Sequence, residues 1–127
     1  MQFSQKLLDS FYHTQHAVTQ LSASSIAQRG GMVKSIVTGE QIEFYLVTEG
    51  NTSIIQYRVY AGVVIIATAE YIAKQLTQNY LLDRTFGVDH LPTVQQIEHA
   101  LSLPATEQAN IQLVVRAAQQ LLRCETD

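Results

Sequence analysis

Four histidines, one cysteine and a scatter of carboxylates are the side chains of this chain with ready metal or acid–base chemistry. His13 and His16 stand three apart, a spacing that can place two imidazoles on one helix face as metal pairs do. No third ligand lies near them in sequence, and solvated histidines after a helix are the commoner arrangement. Asp89-His90 and Glu98-His99 resemble carboxylate–imidazole pairs. Adjacent residues point in different directions, however, and no Ser or Cys nucleophile motif accompanies them, so capping or solvated roles suit them better. Gly30-Gly31 is not followed by the spaced glycines or the Lys-Ser/Thr that cradle a phosphate. Cys124, the lone cysteine, excludes an internal disulfide. These residues predict no catalytic group, no resident metal and no cofactor, and hence a protein that is not an enzyme.

Composition narrows the partners. The chain has 127 residues, enough for one domain with a real core, and its 46% hydrophobic and 15% charged content is that of a folded protein. Net charge is −3, and no basic block points to nucleic acid or an anionic membrane. The opening MQFSQKLLDS lacks the basic and apolar regions of a signal peptide, and Ala61–Ala69, the longest apolar stretch, is about half a bilayer span. Together these predict a cytoplasmic protein and leave a homo-oligomer open.

The elements that must position any site follow from periodicity. Ser4 is an N-cap for a first helix with Phe3, Leu7, Leu8, Phe11 and Tyr12 on one face. Residues 14–28 read as a connecting segment closed by Gly30-Gly31. Met32–Val37 is a short β-branched run. Ile42, Phe44 and Leu46 then alternate with Gln41, Glu43 and Tyr45, and Ile55, Tyr57 and Val59 with Gln56, Arg58 and Tyr60. Glu49-Gly50-Asn51 supplies a turn between them. Tyr45 and Tyr60 fall in the polar phase, which makes an exposed aromatic surface or ordinary cross-strand packing. Val63–Leu76 is apolar nearly all round in its first turns, the mark of a buried helix. Thr93-Val94-Gln95-Gln96 matches a capping box, with Ile97, Ala100 and Leu101 facing inward and Pro104 ending the helix. Thr106 starts a last helix with Ile111, Val114, Val115, Ala118, Leu121 and Leu122 on one stripe. The order predicts a single α+β domain over 1–127. It has a three-stranded antiparallel sheet with helices packed on one face, an N-terminal helix first and three helices after the sheet.

Several short motifs run in a familiar order. They are FSQKLLD at 3–9, Gly31-Met32-Val33, Tyr60 ahead of Ala61-Gly62, and Leu103-Pro104. In this order and spacing the chain resembles the IscU/NifU N-terminal-type scaffold family for iron–sulfur cluster assembly, over nearly its whole length. SufE-type sulfur acceptors are similar in fold. The resemblance implies that cluster ligands belong at three loops, and there the sequence departs from the family. Thr38-Gly39-Glu40 stands for the family's Cys-Gly-Asp, Ala61-Gly62-Val63 for its Gly-Cys-Gly-like turn, and Ala109-Asn110 for its His-Cys pair. The acidic residue persists as Glu40; the thiolates do not. The Lys before the third site is absent, and His13-Thr14-Gln15-His16 replaces an Asn-Pro-rich turn.

Clusters and zinc need soft thiolate or imidazole donors, usually four per site, and sulfur transfer needs an attacking thiolate. Glu40 and Asn110 supply neither. The resemblance therefore implies a non-catalytic binding, adaptor or regulatory homologue whose partner is a cysteine desulfurase or another assembly component. Its contact surface would be Val37, Thr38, Gly62, Val63 and Asn110. Val37 and Val63–Ile66 are expected to refill the ligand mouth with apolar side chains, giving a metal-independent domain. The alternative is a divergent iron–sulfur or metal carrier that builds a site between subunits from Cys124, histidines and Glu40.

Overall fold

The computed structural model describes residues 5, 8, 26–29, 32–35, 37–49, 52–79 and 90–123. Gln5 and Leu8 are helical; the rest of the expected first helix, with His13, His16, Asp89 and Cys124, lies outside the described residues.

Strands β1 (Ile26–Arg29), β2 (Val33–Lys34), β3 (Gln41–Glu49) and β4 (Thr52–Tyr60) form one antiparallel sheet. Every residue of β3 pairs with β4, from Gln41↔Tyr60 to Glu49↔Thr52. β1 pairs with β3 at Val47, Leu46 and Tyr45, and β2 at Ile42 and Gln41. A strand has only two edges, so β1 and β2 share the one that β4 leaves free. They act as one interrupted strand, and the sheet is three strands wide. The expected turn at Glu49-Gly50-Asn51 falls between paired Glu49 and Thr52, with residues 50 and 51 outside the described set.

Two expectations need correction here. Ile26–Arg29, read as connecting segment, is a strand, while Val37 at the end of the expected first strand lies in a turn. The register shifts between Ile26 and Gln28, and such a bulge erases the period of two that marks a strand in sequence.

Alternation on the central hairpin sends Ile42, Phe44 and Leu46 of β3, with their partners Val59, Tyr57 and Ile55, to one face. There they pack under α1 (Val63–Asn79) and α3 (Gln108–Arg123). Phe44 and Tyr57 meet edge to face, with ring centroids 5.9 Å apart. The opposite face of β3 is dry as well: Glu43, Tyr45 and Val47 are all buried. Tyr45, placed by phase in a possible exposed surface, is 0% exposed and donates its hydroxyl to Glu43 Oε1. Glu43 also faces its cross-strand partner Arg58, with Nη2 3.9 Å from Oε1.

Helix α1 is buried on most sides over Val64–Ala73, as its near-continuous apolar sequence requires. Helix α2 (Val94–Leu101) begins with the expected capping box. Thr93 Oγ1 accepts the Gln96 N–H at 3.1 Å, and Gln96 Oε1 accepts the Thr93 N–H at 2.8 Å. It ends before Pro104, at Ser102, which adopts the left-handed conformation (φ 53°). The Leu103 N–H then bonds Glu98 O and the Ser102 N–H bonds His99 O, the paired closure of a Schellman motif. Pro104 instead precedes a 3-10 turn, Ala105–Glu107, and α3 starts at Gln108 rather than Thr106. The expected stripe of α3 is buried apart from half-buried Val115, and Leu113 and Ala117 join it. No described helix is long and apolar enough to cross a membrane.

Candidate functional site

The β2–β3 turn builds one wall of the site from its own hydroxyls. Ser35 Oγ accepts the Thr38 N–H and Thr38 Oγ1 accepts the Glu40 N–H, each at 3.2 Å. The backbone closes through Ser35 N to Glu40 O at 2.8 Å and Gly39 N to Ser35 O at 2.9 Å. Gly39 sits at φ +78° with open space around it, so conformation rather than crowding calls for glycine. Thr38 thus holds a turn where the resembled family would place a ligand.

Pairing of Gln41 with Tyr60 brings the residues on either side of that pair together. Glu40 precedes Gln41 and Gly62 follows Tyr60 by two. The Gly62 N–H donates to Glu40 Oε2 at 2.9 Å, so a carboxylate from one loop caps the N-terminus of α1 from outside the helix. Gly62 O accepts the Ile66 N–H at 3.1 Å and opens the helical ladder. Negative charge is favoured at this end of a helix by the unsatisfied N–H groups.

A cavity of about 330 Å3 opens beside this contact, with Glu40, Glu107 and Asn110 as its polar lining. The first turn of α1 (Val63, Val64, Ile65) makes its apolar wall. Asn110 Nδ2 donates to Glu107 Oε2 at 2.7 Å. Of the expected contact surface, Gly62, Val63 and Asn110 line the cavity beside Glu40, and Val37 does not. Thr38 stays in the exposed turn, and Ala109 is exposed and does not line the cavity. Glu107 escaped the sequence reading; its position three before Asn110, one turn away on the same helical path, was the available signal.

Of the side chains expected to fill the mouth, Val64 and Ile65 are buried in the core, Val63 and Ile66 are half-buried, and Val37 is 93% exposed. Val63, Val64 and Ile65 wall the hollow without closing it, and two carboxylates share its lining. The large hydrophobics exposed among the described residues are Met32 (45%), Val37 (93%) and Tyr60 (78%). Met32 adjoins Val33, which pairs with Ile42; Tyr60 pairs with Gln41; Val37 lies in the turn before Glu40. None of the three lines the cavity, and by alternation Met32 and Tyr60 fall on the sheet face away from the helices.

Elsewhere, His90 and His99 line a shallower hollow of about 620 Å3 with Tyr71, Gln75 and Gln96, between α1 and α2. Glu98 and His99 line a neighbouring depression together. In the core, the Tyr57 hydroxyl donates to Glu70 Oε1 at 3.0 Å, both residues being 0% exposed. Burial, then the Glu70 charge and its hydrogen bond, push the Tyr57 phenol far above its ordinary range. Among the described residues no three His, Cys, Asp or Glu side chains converge as a metal site. Comparison with protein-family models and with curated proteins found no match.

Proposed function

We propose that this protein is a non-catalytic binding or adaptor protein, built on a framework similar to the IscU/NifU N-terminal scaffold and carrying no cluster of its own. Its partner in this reading is a cysteine desulfurase or another component of cluster assembly, met in the cytoplasm. One observation supports the reading: Val37 and Tyr60, large and exposed, stand in the turn before Glu40 and on the strand end before Gly62, next to loops where the resembled family carries ligands. Clustered exposed apolar side chains mark interaction surfaces, whereas scattered ones carry no such meaning.

Affinity capture from a cell extract tests the reading with wild-type protein and Val37→Asp, a change at a side chain that packs on nothing and so spares the fold. Recovery of a desulfurase or another assembly protein by the wild type, and its loss with the variant, is the expected result. Absence of every assembly component from the wild-type eluate would overturn it.

A further inference from the structure

We draw no further inference here: the strongest candidate, the exposed end of the sheet face turned away from the helices, where Met32, Lys34 and Tyr60 stand beside an Arg58 already paired with Glu43, carries nothing because nothing in the structure shows what covers it.

Discussion

The Glu40 carboxylate accepts the backbone N–H of Gly62 at 2.9 Å across 22 positions of sequence. This single bond ties the β2–β3 turn to the start of α1 and sets one wall of the acidic cavity. A helix cap is usually supplied by the residue at the helix boundary; here that residue is glycine, and the acceptor is imported.

Removing the imported cap should cost stability. Glu40→Ala is expected to lower the unfolding free energy by about 1 kcal/mol, within the range for lost caps, and Glu40→Gln by less, because an amide oxygen still accepts. Urea denaturation of the three proteins checks the order. Equal midpoints for wild type and Glu40→Ala would show that the contact contributes nothing.

On the proposed reading, metal dependence should separate the chain from the family it resembles. Zinc or a chelator should leave the melting temperature of the wild type unchanged, since a metal at a hundred times its Kd would add about 2.7 kcal/mol. The triple variant Thr38→Cys, Gly62→Cys, Asn110→Cys should gain a zinc-dependent shift and a thiolate charge-transfer band with cobalt. A β-carbon at Gly62 meets nothing nearer than Glu40 Oε2 at 3.6 Å, so the thiol has room. No cobalt spectrum from a folded triple variant would count against placing ligand loops at these positions.

The Tyr57–Glu70 pair predicts alkaline sensitivity. In the unfolded chain Tyr57 ionises near about pH 10, whereas in the fold its proton is retained to much higher pH. The folded state then binds more protons, so this contribution to stability is intact below about pH 10 and falls above it, by up to about 1.4 kcal/mol per pH unit. Tyr57→Phe should be less stable at neutral pH by about 1–3 kcal/mol, through loss of a buried hydrogen bond, and should lack this part of the alkaline decline. Parallel wild-type and variant curves from pH 8 to about 11 would refute the linkage.

Ser102 offers a stabilising change. Its left-handed backbone is strained for a residue with a β-carbon and its side chain is exposed, so Ser102→Gly relieves strain without losing packing. After the added freedom of glycine in the unfolded chain, a net gain of about 0.5–1 kcal/mol is expected, seen as a rise of roughly 2–4 °C in Tm. An unchanged or lower Tm in scanning calorimetry would contradict it.

Legibility followed locality. The Thr93–Gln96 box is written in four adjacent residues, and the structure contains both of its bonds. The alternation at Ile42, Phe44 and Leu46 likewise gave the helix-facing side of β3. The same alternation puts Tyr45 in the polar phase and leaves exposure and packing open; the structure decides for packing, because both faces of β3 are buried over Ile42–Val47. Ile26–Arg29 was hidden by its register shift. Of the cavity lining, Gly62, Val63 and Asn110 belong to the surface that the resemblance singles out, and Glu40 to its acidic position. The open hollow and Glu107 were not legible, since both depend on how α3 is seated against the start of α1.

Thr38 carries a consequence beyond its own turn. Its hydroxyl restrains the Glu40 amide, and Glu40 in turn restrains the first turn of α1. A sulfhydryl accepts hydrogen bonds weakly, so sulfur at position 38 would slacken the linkage that steadies the opening of the longest described helix. Gaining a soft donor there and keeping a rigid entrance are competing demands, and this molecule embodies the second.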